Sequence, residues 1–307
     1  MSFINYNWYI ALAFCLFFFI GGRQLAEVRG GNPYAHNSVG IILFIFAAPS
    51  LLFPISNFVR PIAASAWYNA LRSINRIELF SALISPAAAY ATYRKPPSPY
   101  RTLRASASEL FMRVAKPLAF PFCILLISVN FISPLILPLD KETDFKGEWR
   151  NNNVYMPSSA RFDGPAALIN TMYSLNNHEI DEFEAAKGTY TDRSGTEFWY
   201  LARFAASKGF RTRFYKPAEI GEAYIPSIIY VTPGISADDL PESASSEPAA
   251  AGRSGRGKYI ALIARSDDGA LTICDPETGR LELLSDNFSA IYGKPPLALA
   301  VSAPRVR

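Results

Sequence analysis

Three side chains in the second half of the chain have types and settings suited to chemistry. Asp163 opens DGPAAL (163–168), ahead of the run PAALINTMYSL with helical apolar spacing. Pro165 suits the first turn of that helix, and a carboxylate at its start is favoured by the helix dipole. Lys258 opens KYIALI (258–263), a β-branched and apolar run that predicts a strand. Asp275 opens DPETG (275–279) and follows another such run. A fourth segment, GTEFWYLARFAASKGF (195–210), predicts a helix that stops at Gly209. Two carboxylates and an amine can move protons if burial shifts their affinities, or can pair as ions. Gly164 and Tyr259, next to the first two, are candidates to line the same cleft.

Other candidates carry blander readings. Cys274 lies in LTICDP at a strand end and reads as a buried structural cysteine. His178 falls in the polar turn NNHEID. Ser158 and Ser159 are loop serines with no base assigned nearby. With two histidines in the chain, neither a metal site nor a cofactor is expected.

The four segments occur in an order that resembles the bacteriocin-processing, double-glycine leader peptidases, family 39 of the papain-like cysteine peptidases. The resemblance covers about half of the chain. In that family the first motif begins with the nucleophilic cysteine, where this chain has Asp163. The catalytic histidine opens a strand, where this chain has Lys258. The aspartate that orients the histidine is matched by Asp275, followed by Pro276 and Gly279 as in the family. The oxyanion-hole glutamine lies six residues before the nucleophile, where this chain has Pro157. The resemblance therefore implies a papain-like α+β fold in which one catalytic position of four is kept.

Those departures matter physically. Thiol catalysis needs a polarisable thiolate held by a helix N-terminus and an imidazolium. A carboxylate at 163 is a poor nucleophile toward peptides. Lys258 cannot shuttle protons near neutrality unless its affinity falls far, and Pro157 offers no side-chain donor to an oxyanion. The cysteine and histidine positions have changed to opposite charges, which predicts an ion pair between Asp163 and Lys258 with Asp275 close by.

The first half is of another kind. Residues 1–139 hold three acids and eleven Lys/Arg, whereas residues 140–307 hold 23 acids and 19 Lys/Arg. Four apolar segments, 8–22, 39–59, 77–93 and 117–139, interrupt the basic half and predict a transmembrane region. The head MSFINYN lacks the basic residues of a signal peptide. The segment 77–93 contains Glu78 and Pro86 and reads equally as an interfacial or half-inserted helix. Basic residues flank the spans without aromatic interleaving, which argues against nucleic-acid binding. The 94–116 segment has six Lys/Arg and one acid, which marks it as cytoplasmic. One further span then carries everything beyond Asp140 outside. If 77–93 also crosses, the loop 60–76, with three arginines, is outside as well, against the charge rule.

The expected organisation is a helical transmembrane region over 1–139, a linker over 140–150, and a peptidase-like domain over 151–303. Helices are predicted from about 165, over 179–186 and over 196–208. Strands follow over 211–215, 227–231, 258–264, 271–274 and 297–301, which makes the domain α+β with a mostly antiparallel sheet. A Ser/Ala/Gly/Pro-rich insertion, 236–257, is expected to be disordered. The functional expectation is a multi-pass protein of the bacterial inner (plasma) membrane, in contact with lipid. Its periplasmic domain binds a peptide or protein without cutting it, as a subunit of an envelope, secretion or maturation complex. The competing expectations are a hydrolase with a non-standard catalytic set, and a transport or assembly subunit whose membrane half is functional.

Overall fold

The structure is a computed structural model. It describes residues 6–28, 33–56, 62, 64–93, 104–128, 137–139, 145–150, 153–176, 179–231, 257–293, 295 and 297–303. The chain divides into two compact units: one comprises 4–63 with 76–135, the other 64–75 with 136–307.

The first unit is helical. In chain order it holds α1 (Asn7–Val28), α2 (Pro33–Ala47) and, after a 3-10 turn, α3 (Leu52–Ser56). The next helix, α4 (Ala66–Ser73), belongs to the other unit. A 3-10 stretch (Ile77–Leu83) leads into α5 (Ile84–Tyr93), and α6 (Arg104–Ser128) follows. Ala11, Cys15 and Phe19 of α1 bury themselves with Ala82, Ala89, Cys123 and Ile127. Small residues let the helices approach closely: a side chain at Gly22 would meet the backbone of Pro86. Trp8 donates its indole N–H to Ser128 Oγ at 3.1 Å. Large apolar side chains such as Phe17, Ile41, Phe44 and Leu125 face outward. Among the described residues, two helical stretches, Asn7–Glu27 and Ser38–Ser56, are long and apolar enough to cross a membrane, and Lys116–Ser128 is a shorter apolar helix. Helix α1 runs past the apolar segment 8–22 to Val28, and the segment 77–93 is 3-10 before it is helical.

The second unit is α+β. Strands β1 (Glu148–Arg150) and β2 (Val154–Met156) pair antiparallel. Helices α7 (Asp163–Asn176), α8 (Glu182–Gly188) and α9 (Phe198–Ser207) follow. Then come β3 (Arg211–Tyr215), β4 (Ser227–Val231), β5 (Lys258–Arg265), β6 (Leu271–Asp275), β7 (Gly279–Leu283), α10 (Ser285–Tyr292) and β8 (Leu297–Ser302). The six later strands form one sheet in the order β3-β8-β4-β5-β6-β7, antiparallel at every pairing. Alternation along the central strands sorts side chains to two faces. Ile229, Val231, Ile260, Leu262 and Ile273 pack with Phe288 and Tyr292 of α10. Tyr259, one residue out of phase with Ile260, points instead to the start of α7, whose residues Asp163 to Met172 are all buried.

Three boundaries differ from expectation. The stretch 140–150, expected as a linker, contains β1, and Phe145 packs on Phe162 and Phe183. The stretch ahead of the helix predicted from about 165, for which no strand was expected, holds β2, whose three residues are buried. Helix α8 begins at Glu182 because Asp181 caps it through the N–H of Glu184. The insertion expected at 236–257 falls, apart from Gly257, outside the described residues, as does His178.

Candidate functional site

The start of α7 is built to hold a side chain in place. Ser159 caps a 3-10 turn, Ala160–Phe162, which delivers the chain into the helix at Asp163. Gly164 lets this turn press against its neighbours: a side chain there would come within 3.0 Å of Thr196 Cβ and 3.3 Å of the Tyr259 ring. Tyr259 is itself fixed. Its hydroxyl donates to the Thr196 carbonyl at 2.9 Å, and its ring lies 5.1 Å from Phe198 and 5.2 Å from Tyr230.

The Asp163 carboxyl is buried, 8% exposed, and both oxygens are engaged. One accepts the N–H of Gly164 at 2.7 Å, and the other accepts the N–H of Tyr259 at 2.9 Å. Burial pushes its pKa from 3.8 up to about 7. The two backbone donors oppose the rise, Glu277 adds to it and Lys258 opposes it.

Lys258 looks the other way. Its ammonium donates to Asp275 at 2.9 Å and to Glu277 at 2.6 Å, and sits 5.7 Å from the centre of the Tyr292 ring. Burial alone would pull its pKa down, but the carboxylates of Asp275 and Glu277 outweigh that and hold it above its ordinary value. Asp275 is 1% exposed and also accepts the Tyr292 hydroxyl at 2.6 Å and the Glu277 N–H at 2.8 Å. The DPETG turn makes this possible: Gly279 takes φ +91°, a conformation open to glycine, and closes the β6–β7 hairpin that carries Glu277.

The expected ion pair between Asp163 and Lys258 is therefore corrected. The lysine pairs with Asp275 and Glu277, and the aspartate pairs with backbone. The reason is local geometry. The N–H of Tyr259 reaches Asp163 directly, while the DPETG hairpin brings two carboxylates to the Lys258 amine. The structure nevertheless gathers Asp163, Gly164, Lys258, Tyr259 and Asp275 around one helix start and one strand start. Pro157 follows β2, half-buried. Ser158 uses its N–H to reach Glu182 at 2.9 Å. Cys274 is fully buried beside Asp275, and burial pushes its thiol up to about 12, which leaves it protonated near neutrality.

Sequence reasoning missed Glu277, Tyr292 and Thr196. Glu277 stood inside the DPETG motif and was open to discovery there. Tyr292 belongs to an eight-residue helix with no start signal strong enough to mark it, and Thr196 acts through its backbone carbonyl.

No protein-family model matches the chain. A curated relative, an uncharacterized protein of Methanothermobacter marburgensis, is 28% identical over 149 residues, 48% of this chain and 89% of that protein. Among solved structures, the helices and antiparallel sheet resemble the peptidase domain of Streptococcus ComA, a bi-functional ABC transporter involved in a quorum sensing pathway. The identity is 19%, over 53% of this chain and 100% of that one, with a TM-score of 0.36. A double glycine motif protease from an AMS/PCAT transporter, in complex with the leader peptide, is 14% identical over 52% of this chain and 94% of its own, with a TM-score of 0.35. The peptidase domain of Streptococcus mutans ComA is 19% identical over 48% of this chain and 97% of its own, with a TM-score of 0.32.

Proposed function

We propose that this protein is a membrane-anchored, peptidase-like module that has exchanged catalysis for binding. Its domain takes a peptide or protein partner on the extracytoplasmic side of the plasma membrane, as a subunit of an envelope, secretion or maturation complex. The observation that carries the reading is the state of the nucleophile position. Asp163 has both carboxyl oxygens engaged by backbone N–H groups and is almost fully enclosed. A group so held fastens a helix to a strand and is poorly placed to attack a carbonyl. Lys258, at the histidine position, is tied into Asp275 and Glu277 and kept protonated, which removes it as a proton shuttle. The apolar helices Asn7–Glu27 and Ser38–Ser56 support the anchor, with lipid as their surroundings.

A second reading has one observation in its favour. A carboxyl that titrates near 7 suits acid–base chemistry, so a hydrolase using Asp163 in that role competes with the binding module.

The purified full-length protein in mild detergent, incubated with peptide libraries that include double-glycine leader peptides, separates the two. Binding without turnover, unchanged by Asp163→Asn, is expected. Turnover that Asp163→Asn abolishes would overturn the binding reading in favour of the hydrolase.

A further inference from the structure

Helix α4 lies, in sequence, between two apolar segments of the first half, yet it packs within the α+β unit. The contact is specific. Arg72 is 2% exposed, and its guanidinium stacks 4.4 Å from the ring centre of Trp199 in α9. Tyr68, one turn earlier on the same face, is fully buried and meets the Trp199 ring edge-on at 6.2 Å. Arg72 also reaches the Tyr68 hydroxyl. In return Arg203 of α9 donates Nε and Nη2 to the carbonyl of Arg72 at the end of α4, the first at 2.8 Å. A cation on an indole face, with an arginine fork on a helix-end carbonyl, is a built joint between distant parts of the chain.

That joint constrains the path of the chain between its two halves. Residues 64–75 and 136–307 share one folded body, so they share one side of any membrane that the intervening residues enter. Segment 76–135 must therefore cross an even number of times. We infer, on the membrane reading proposed above, that 77–135 crosses the membrane twice, with residues 94–116 on the cytoplasmic side, and that α4 is an extracytoplasmic strap which fastens the domain to the chain just before those crossings. The alternative in which 77–93 lies along the interface leaves one crossing, at 117–139. It would put α4 and the domain on opposite sides, which the Arg72–Trp199 contact forbids. The same contact removes the charge objection. Of the three arginines in 60–76, Arg72 is buried against an aromatic ring and is not offered to lipid headgroups, whereas 94–116 keeps six basic residues against one acid. With α4 outside and one crossing at each of 8–22 and 39–59, the N-terminus is outside and residues 29–32 are on the cytoplasmic side.

Single cysteines in the full-length protein test this, with a membrane-impermeant maleimide applied to intact spheroplasts and then to permeabilised ones. The native cysteines Cys15, Cys123 and Cys274 are buried and give the background. Asn75→Cys, next to α4, and Ser289→Cys, on α10, replace exposed residues; Ser98→Cys lies in sequence between the two proposed crossings. The expected result is labelling of Asn75→Cys and Ser289→Cys on intact spheroplasts, and of Ser98→Cys after permeabilisation alone. Should the first two need permeabilisation and Ser98→Cys not, the double crossing and strap stand and the extracytoplasmic reading alone falls. Labelling of Asn75→Cys and Ser289→Cys on opposite sides, or of all three on one side, would overturn the double crossing.

Discussion

The N–H of Tyr259, at the start of β5, donates to the carboxyl of Asp163, at the start of α7, over 2.9 Å and across 96 residues of sequence. This hydrogen bond ties the start of the helix to the start of the strand, and the Gly164 N–H engages the other carboxyl oxygen.

Removing that carboxyl should cost stability. Asp163→Ala leaves two buried backbone N–H groups without their acceptor, at a cost of about 3 kcal/mol, the scale of stranding buried donors. Urea unfolding of the full-length protein in detergent measures it. A loss below about 0.5 kcal/mol, the scale of an unremarkable surface substitution, would show that Asp163 is no fastener.

The same group should give the protein an unusual pH profile. Burial raises the Asp163 pKa from 3.8 to about 7, so between those values the folded chain holds a proton that the unfolded chain has released. Its contribution to stability is full below about 4 and is lost as the pH rises through about 7. Asp163→Asn cannot ionise and should flatten this part of the curve. Unfolding midpoints of both proteins at pH 5 and pH 8 check the sign: the wild type should lose more on going to pH 8. Parallel profiles would sink the assignment.

Much of this juncture was legible before the structure, and the reason lies in spacing. Asp163, Lys258 and Asp275 each open a short segment whose flanking glycines, proline and apolar run mark a helix start, a strand start and a tight turn. Which charge would meet which was not legible. The partner of Lys258 is decided by the β6–β7 hairpin and by the direction of one N–H, and neither leaves a mark at the lysine itself. Strand β7, GRLEL, was missed for another reason. It is an edge strand with Arg280 and Glu282 turned to solvent, so two apolar positions carried its whole signal. Helix α4 was hidden because Arg72 was weighed as a topology charge, while Tyr68 and Arg72 form a single face four residues apart.

The two carboxylates around Lys258 should prove unequal. Asp275 is 1% exposed and Glu277 38%, so the first pair is desolvated and the second is not. Lys258→Ala, which strands the buried Asp275 charge, should cost about 3 kcal/mol. Glu277→Ala removes a solvent-screened partner and should cost less than about 1 kcal/mol. Equal losses by urea unfolding would mean that burial does not set the strength of this cluster.

The strap between α4 and α9 should open locally before the domain unfolds. Arg72 is protected because its side chain is buried on Trp199 and its carbonyl accepts from Arg203. Arg203→Ala withdraws the donors to that carbonyl and leaves the Trp199 ring, and with it the core of the domain, in place. The loss of a charge-assisted hydrogen bond worth about 1.5 kcal/mol raises the open population roughly tenfold. Trypsin cleavage between Arg72 and Ser73 should accelerate by the same factor at native pH, while cleavage within the α+β domain keeps its wild-type rate. Arg203→Lys retains a charged donor at the position and should fall between the two. A cleavage rate at Arg72 that does not change in Arg203→Ala would show that the carbonyl contact does not hold α4 on the domain.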